Sequence, residues 1–269
     1  MAGSGQRLWF VDTARRLATI DTTTGVVTDV AQLPLDGSFT RLLLGVSHVY
    51  VIDQGKGRIS TLSMKSGTLE TIAFPFANTA RGFAVGTDDR IWLAGGDSSS
   101  VLSVDPGAKS VAAIDFQTSG ISALYVDSAA RVWYADDATG GIGYYDQVKR
   151  AIVSVGVPAH ASVTALSMDR NGTLWAGTTA GQVLSVRVGV AVIGPGAGGP
   201  VVDLVRDASG AVWSYAAAPG TMIYRSLTAG GGARIAAVAA SSVALDGLGR
   251  AWLADPAGAG FYIALNEER

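Results

Sequence analysis

The chain has 269 residues, of which 48% are hydrophobic and 16% are charged. This balance supports a buried core and excludes an intrinsically disordered chain. The formal net charge of −2 excludes the strongly basic surface that general binding of nucleic acid or anionic membranes needs, so we expect neither partner. The absence of cysteine excludes disulfides, thiolate metal sites and cysteine nucleophiles.

The first residues give an expectation about location. Met1 to Gln6 are small or polar, and Arg7 to Val11 already has the pattern of a strand. No charged-then-apolar leader is present in the sequence as written, which predicts no signal peptide. No window approaches 18 uninterrupted apolar residues, which predicts no membrane span. We therefore expect a protein of the cytoplasm or of a multi-protein assembly.

A repeat runs through the whole chain. Aromatic residues flanked by short apolar runs recur at steps of 38 to 42 residues. The aromatic positions are Trp9, Tyr50, Trp92, Trp133, Trp175, Trp213 and Trp252. Four of them follow an aspartate by six residues, at Asp127, Asp169, Asp207 and Asp246. Because aspartate favours tight reversals, each of these aspartates predicts a turn before an aromatic strand.

The fourth period shows the predicted elements most clearly. Its strand-like runs are Ile121–Val126, Val132–Ala135, Ile142–Tyr145 and Ala151–Val155, separated by polar turns. Runs of this length are too short for most helices. Four antiparallel strands in a period of about 40 residues, with one aromatic landmark, are typical of a β-propeller blade. We predict an all-β, seven-bladed β-propeller that forms a single domain over residues 1–269.

The two ends predict ragged closure of this propeller. The first period lacks an innermost strand in this interpretation, because only six residues precede Arg7. The last lacks an outermost strand, because the sequence stops at Arg269 soon after Phe261–Leu265. Either two blades are three-stranded or a partner chain supplies a strand, and open strand edges favour such pairing. We therefore expect a protein partner or self-association through strand edges or propeller faces.

One motif points to a known group of propellers. Ile20 to Val27 reads I-D-x-x-x-G-x-V, and a worn form returns at Ser103 to Gly107. The repeat resembles the streptogramin B lyase-like propellers and, more distantly, the NHL-repeat propellers, over nearly the whole chain. The resemblance implies the fold, whereas related propellers serve as lyases, sensors and binding platforms.

The resemblance also implies lyase chemistry, with histidines, a glutamate and Mg²⁺ late in the chain. Here the two histidines are His48 and His160, and no glutamate lies between Glu70 and Glu267. The late periods lack both residue types, so we assign no catalytic residue, metal or cofactor. His48 falls in a turn between first and second strands, whereas His160 precedes an innermost strand. We therefore predict that the two histidines lie on opposite faces.

The channel entrance gives the candidate site. Aligning the periods on their aromatic residues places Arg41, Gly82, Ala123, Ala165, Asp203 and Ser242 at the start of the innermost strands. Small residues suit the crowded axis, and the charged exceptions mark a mouth of the kind at which ligands bind. We predict a site for a polar or zwitterionic ligand or a peptide, formed by Arg41, Arg81, His160 and Asp203. The alternative is a set of surface ion pairs of little energetic weight.

Three functions follow as hypotheses. The leading one is a non-catalytic binding or scaffold module for protein–protein interaction, in one form a structural component of a large assembly such as a bacteriophage particle. The second is a divergent lyase or hydrolase that acts at the channel mouth. The third is a glycan-binding propeller with repeated pockets between blades, which would need a common exposed polar set that the periods do not share.

Overall fold

The structure, a computed structural model, describes 27 strands and one short 3₁₀ helix, Gln54–Lys56. The described residues are 1–34, 36, 39–75, 80–95, 99–118, 120–156, 162–187, 190–193, 199–207, 212–216, 222–228, 231–237, 242–248, 250–254 and 261–264. No helix within these ranges has the length and apolar character needed to cross a membrane.

The strands pair in chain order into seven antiparallel sheets. The first sheet contains β1 (Ala2–Ser4), β2 (Arg7–Val11), β3 (Arg16–Asp21) and β4 (Val27–Gln32). The second contains β5 (Phe39–Leu44), β6 (His48–Asp53), β7 (Arg58–Ser63) and β8 (Leu69–Ala73). The third contains β9 (Ala80–Val85), β10 (Ile91–Gly95), β11 (Ser100–Asp105) and β12 (Ser110–Asp115). The fourth contains β13 (Ile121–Val126), β14 (Arg131–Asp136), β15 (Gly141–Asp146) and β16 (Ala151–Ser154).

The later sheets continue the same meander. The fifth contains β17 (Val163–Met168), β18 (Leu174–Thr178), β19 (Val183–Arg187) and β20 (Val190–Ile193). The sixth contains β21 (Val201–Arg206), β22 (Val212–Ala216), β23 (Met222–Thr228) and β24 (Gly231–Ala237). The seventh contains β25 (Ser242–Leu245), β26 (Ala251–Ala254) and β27 (Phe261–Ala264). The predicted absence of a fourth strand in this last sheet concerns residues 265–269, which lie outside the described residues.

The first strand of each sheet is the innermost one. These strands contact one another in the order β1, β5, β9, β13, β17, β21 and β25, and β25 contacts β1 again. The arrangement is that of a β-propeller, in which antiparallel sheets are repeated around an axis. The prediction of an all-β propeller is therefore confirmed.

The prediction that the first period lacks its innermost strand is wrong. Residues Ala2–Ser4 form β1, which pairs with β2 and contacts β25 and β5. Six residues suffice because Gly5, with φ near 58°, reverses the chain in a tight turn. Gly3 adds close packing, because a Cβ atom at this position would collide with the carbonyl oxygen of Leu245.

The aromatic landmarks form the core between neighbouring sheets, as the repeat predicted. All six tryptophans and Tyr50 are at most 6% exposed. Each packs with apolar side chains of its own sheet and of the next one: Trp252, for example, clusters with Leu8 and Ile20 of the first sheet. Burying such rings against a neighbour stabilises the stacking of sheets, since each large aromatic removes much apolar area from water.

The aspartates of the turns accept hydrogen bonds from the tryptophan side chains. The indole Nε1 of each following tryptophan donates to the aspartate Oδ2, at 2.8 Å for Asp127, 3.1 Å for Asp169, 2.9 Å for Asp207 and 3.0 Å for Asp246. The other carboxylate oxygen of Asp127 accepts backbone N–H bonds from Ala129 and Arg131. One carboxylate thus closes the turn and fixes the next strand, which explains the constant spacing of six residues.

The third sheet lacks this carboxylate. Gly86 stands six residues before Trp92, and its N–H donates to the Arg90 carbonyl as Asp127 does to that of Arg131. Trp92 Nε1 is buried, and it has no hydrogen-bond partner within the described part of the chain. An unsatisfied buried donor costs stability, so this position is a defect of the repeat.

Replacing Gly86 by aspartate is expected to raise the free energy of unfolding by about 1 kcal/mol, because the new carboxylate gives Trp92 Nε1 an acceptor. The nearest obstacle to the new side chain is the Asp88 carboxylate, the end of a flexible side chain. Gly86→Ala is the matched control, since it adds a Cβ atom without an acceptor. Urea unfolding measures the free energy of unfolding of both variants. Equal values for the two would contradict the identification of Trp92 Nε1 as an unsatisfied donor.

Candidate functional site in the central channel

Five innermost strands carry a β-bulge next to the channel mouth. The ladder with the second strand shifts register there, which leaves one residue unpaired in each strand: Thr40, Arg81, Ser122, Thr164 and Val202. The three hydroxyl residues donate from their side chains to carbonyls of the second strand, as Thr40 does to Ile52 at 3.3 Å. Bulges re-aim side chains at the rims of sheets. The residue after each bulge is the one that the period alignment placed at the strand start.

The channel itself holds a cavity of about 360 Å³ lined by the innermost strands. Arg41 of β5 and Asp203 of β21 meet in it, with 3.1 Å between Arg41 Nη2 and Asp203 Oδ1. Because the second and sixth sheets are not neighbours in the contact order, this ion pair spans the channel. Asp203 Oδ1 also accepts the N–H of Leu204 at 2.9 Å, which holds the carboxylate in place.

The α-amino group of Met1 lies beside this pair. Burial lowers the pKa of the Met1 α-amino group, Asp203 acts in the opposite direction and Arg41 adds to the lowering. Met1, Ala2 and Gly3 line the same cavity. The mouth therefore combines one carboxylate with a guanidinium and an amino group.

The structure brings together two of the four residues predicted to form the site. Arg41 and Asp203 are in contact, as stated. Arg81 occupies a bulge; it is exposed and does not line the cavity, because the shifted register turns it away from the side chains that do. His160 lies outside the described residues. Met1 was missed, since a three-residue strand leaves no periodic signal in the sequence.

His48 belongs to a second polar cluster, between the second and third sheets. Its Nδ1 lies 2.8 Å from Ser47 Oγ and 3.4 Å from Asp89 Oδ2, and Ser47 Oγ also donates to that carboxylate. Burial alone would raise the pKa of Asp89, but hydrogen bonds from Ser47, His48 and the Val46 backbone hold it below its usual value. Both partners sit on the same ring nitrogen, whereas a nucleophilic triad needs the imidazole between serine and carboxylate. The cluster joins two sheets and is no such triad.

The Arg41–Asp203 pair is expected to contribute little to stability. Its side chains are 38% and 32% exposed, and pairs with this much solvent contact couple by no more than about 1 kcal/mol. Urea unfolding of Arg41→Met, Asp203→Asn and the double variant measures that coupling. A coupling of several kcal/mol would show that the ion pair stabilises the fold. It would also contradict a ligand site in which the ligand displaces one partner of the pair.

Comparison with known proteins supports the fold. A family model described as "Two component regulator propeller" matches residues 157–180. No curated protein matches the chain by sequence. The structure of virginiamycin B lyase from Staphylococcus aureus superposes with a TM-score of 0.80 at 14% identity and covers 99% of this chain and 94% of its own.

Two further solved structures show the range of the fold. A streptogramin B lyase has a TM-score of 0.76 at 15% identity and covers 94% of this chain and 88% of its own. A chain of the Mitotic Checkpoint Complex has a TM-score of 0.73 at 15% identity and covers 97% of this chain and 87% of its own. In all, 1342 chains of solved structures match, so the fold alone selects no activity. The chain has the β-propeller fold of the streptogramin B lyases, as the I-D-x-x-x-G-x-V motif indicated.

Proposed function

We propose that the chain is a non-catalytic β-propeller module that binds a partner protein through the rim of its first sheet. The seven sheets are then seven blades of one domain over residues 1–269. In one form of the proposal, the module is a structural component of a large assembly such as a bacteriophage particle.

The outermost strand of the first sheet carries this proposal. β4 pairs with β3, and it pairs with no other strand among the described residues, so one of its backbone edges is open. The adjoining side chains are apolar and exposed: Val26 is 57% and Val27 is 52% accessible. An open edge with exposed apolar side chains favours pairing with a strand of another chain, whose main-chain hydrogen bonds then supply affinity.

The fold is compatible with such a role, because one of its structural relatives is a chain of a multi-protein complex. The outermost strand β12 shows the same exposure, and Val111 within it is 40% accessible. The first sheet is favoured over the third because Val26, next to β4, and Val30 within it line a cleft between the first and second sheets.

Site-specific photo-crosslinking tests the proposal. A photoreactive residue at position 27, introduced in the cells that naturally make the protein, is expected to capture one partner. The same residue at position 148, where Val148 is 86% exposed on a turn, is the matched control. The captured protein is then purified and recombined with the chain. Equal labelling at both positions, or no binding after recombination, would contradict the proposal.

Light scattering separates the two kinds of partner. If the chain binds a second copy of itself, its solution mass rises from 27.5 kDa to a multiple of that value between nanomolar and micromolar concentration. A constant monomer mass would restrict the proposal to a different protein. Val27→Lys places a charge at the open edge and is expected to abolish either association, since charged edge residues oppose strand pairing.

A divergent lyase or hydrolase at the channel mouth is the second candidate. The fold likeness to streptogramin B lyases and the cavity that contains Arg41 and Asp203 favour it. Arg81 does not line this cavity and His160 lies outside the described residues, so the candidate rests on Arg41 and Asp203. The test is loss of turnover in Asp203→Ala with the fold intact. Unchanged turnover in that variant would remove the channel mouth from consideration.

A further inference from the structure

The repeat contains a site in which an arginine and an indole bind one carboxylate. In two of the sheets an aspartate of the chain itself occupies this site. In the fourth sheet, Asp127 Oδ2 accepts from Arg131 Nε at 2.6 Å and from Trp133 Nε1 at 2.8 Å. In the seventh sheet, Asp246 Oδ2 accepts from the arginine and tryptophan at positions 250 and 252 at 2.6 and 3.0 Å. An arginine two residues before the tryptophan therefore forms, with the indole, a two-donor site for one carboxylate.

The first sheet has the same two donors and no carboxylate between them. Arg7 stands two residues before Trp9, and the β1–β2 register places Ser4 opposite Arg7. Asp127 occupies the corresponding place opposite Arg131, where its N–H meets the Arg131 carbonyl. A serine thus stands where the fourth to seventh sheets have an aspartate.

Neither the Arg7 guanidinium nor Trp9 Nε1 makes a hydrogen bond within the described part of the chain, although the charge of Arg7 interacts with that of Asp21. Asp21 lies opposite Arg7 in the β2–β3 register, but its carboxylate accepts the backbone N–H groups of Thr23 and Thr24 at 2.8 Å each. These bonds, with a smaller contribution from the charge of Arg7, hold the pKa of Asp21 below its usual value. Asp21 therefore stays ionised in the lining of the cleft, with its carboxylate hydrogen-bonded to its own turn.

The free donors line a cleft of about 640 Å³ between the first and second sheets. Thr19 and Thr28 lie in the cross-strand row that contains Trp9, and Thr19 is 7% exposed. Its hydroxyl, too, makes no hydrogen bond to any described residue. Arg7 is exposed, and neither Trp9 Nε1 nor the Thr19 hydroxyl is among the buried atoms that lack a partner, so all three donors reach solvent. A ligand that supplies acceptors would replace water at these donors.

The rest of the cleft has a mixed lining: Asp21, Thr24 and Ser63 are polar, and four side chains are apolar. Val26 and Val30 line it from the first sheet, and Leu62 and Met64 line it from the second. A free carboxylate fills only a small part of this volume and leaves the apolar walls in water. An acidic side chain with apolar neighbours on an extended segment satisfies both parts, and β4 beside the cleft offers the open edge for that segment.

We propose that this cleft binds an Asp or Glu carboxylate of the partner polypeptide, which supplies in trans the acceptor that Asp127 and Asp246 supply within the chain. Arg7 and Trp9 hold the carboxylate by charge-assisted hydrogen bonds. The polypeptide source of the carboxylate rests on the proposed function, whereas the carboxylate site itself does not.

The indole N–H groups give a direct test. The chain contains six tryptophans, so protein labelled with ¹⁵N-tryptophan is titrated with sodium propanoate while six indole cross-peaks are followed, and Trp9→Phe assigns one of them. Only the Trp9 peak is expected to move. The second probe is the blocked peptide acetyl-Thr-Val-Asp-Val-Thr-amide, which is expected to bind at least tenfold more tightly than propanoate. The same peptide with Asn for Asp is expected to lose that gain.

Variants at position 4 control for structural effects. Ser4→Asp restores the carboxylate within the chain, so the Trp9 peak is expected to move without ligand and to stop responding to propanoate. Ser4→Asn has the same shape without the charge and is expected to keep the response. Arg7→Gln is expected to weaken propanoate binding about tenfold.

Each contrary result has a distinct meaning. The carboxylate site is contradicted if the Trp9 peak moves with neither propanoate nor the aspartate peptide. It is also contradicted if the peak moves as far in Ser4→Asp as in the unsubstituted protein. A peak that responds to propanoate but no better to the aspartate peptide overturns the polypeptide source and leaves a small carboxylate as the ligand. Failure of crosslinking at position 27 contradicts the proposed function without changing the propanoate result.

Discussion

Replacing Asp246 by alanine is expected to lower the free energy of unfolding by about 3 kcal/mol, because it removes a charge-assisted partner of Arg250 and leaves the buried Trp252 indole N–H without an acceptor. The Asp246 carboxylate is fully buried in contact with Arg250, and it also accepts from the Trp252 indole and two backbone N–H groups. Arg250 in turn donates to the Thr22 carbonyl at 2.7 Å, so the loss reaches the contact between the last and first sheets.

The same carboxylate gives the protein an acid-sensitive contribution to stability. Burial alone would raise the pKa of Asp246, but hydrogen bonds from Trp252, Arg250 and Leu248 outweigh it and hold the pKa below its usual value. A depressed pKa in the folded state stabilises the fold above the unfolded-state pKa of about 3.9, and this stabilisation is lost as the pH falls through the folded value. The contribution of Asp246 is therefore complete at neutral pH, begins to decline as the pH falls below about 4, and is lost once the pH has fallen through the lower folded-state pKa.

Urea unfolding as a function of pH measures both effects. Asp246→Asn is the informative companion variant, because it keeps acceptor capacity and removes the titration. Asp169 offers a second comparison: it binds the Trp175 indole, but Thr173 replaces the arginine, so Asp169→Ala is expected to cost less. Equal losses at positions 246 and 169 would contradict the role of the arginine.

Substitution of Gly3 by alanine is expected to cost about 3 kcal/mol, because inserting a methyl group into a close-packed contact forces the backbone apart. The new Cβ atom would collide with the carbonyl oxygen of Leu245, a backbone atom of β25 that cannot turn aside. β1 would have to move away from β25, and the contact between the first and last sheets would open.

Gly107→Ala is the matched control for this substitution. Its Cβ atom meets the Asp105 carboxylate at 3.4 Å, an ordinary contact, so little change is expected. Amide hydrogen exchange supplies the local readout: protection of β1 and β25 is expected to fall in Gly3→Ala while that of β13 and β17 persists. Unchanged protection at β1 would show that this strand does not hold the first and last sheets together.

The sequence period predicted most of the fold because the recurring residues have recurring structural roles. Aromatic residues recur where each sheet needs a core residue, and aspartates recur where a turn and an indole share one carboxylate. The same period also explains a contact that was not predicted. Ser47 and Asp89 stand 42 residues apart, one repeat, so equivalent turns of adjacent sheets bring them together.

The missed features depend on single residues and not on the repeat. β1 has three residues, too few for a periodic pattern, and it forms because Gly3 and Gly5 permit close packing and a tight turn. The sequence predicted Arg81 at the channel because it directly precedes Gly82, but a bulge at Arg81 shifts it outward. The juxtaposition of Arg41 and Asp203 followed from their equivalent positions, whereas their direct contact required the actual diameter of the channel.

The free donors of the first sheet could not be recognised without the register. Arg7 and Trp9 repeat the spacing found at Arg131 and Trp133, and this similarity predicts a shared structure. The missing partner becomes visible only when β1 is paired with β2, because the turn before Arg7 is one residue shorter than the turn before Arg131.

Hydrogen exchange of the six indole N–H groups in the unliganded protein tests the central claim most directly. The claim is that a carboxylate holds the indole in four sheets and that the first sheet leaves it free. The indoles of Trp133, Trp175, Trp213 and Trp252 are predicted to exchange slowly, and Trp92 also, because it is 1% exposed. Trp9 is predicted to exchange fastest. Protection of Trp9 equal to that of Trp252 would mean that its indole already has an acceptor, and it would contradict the account.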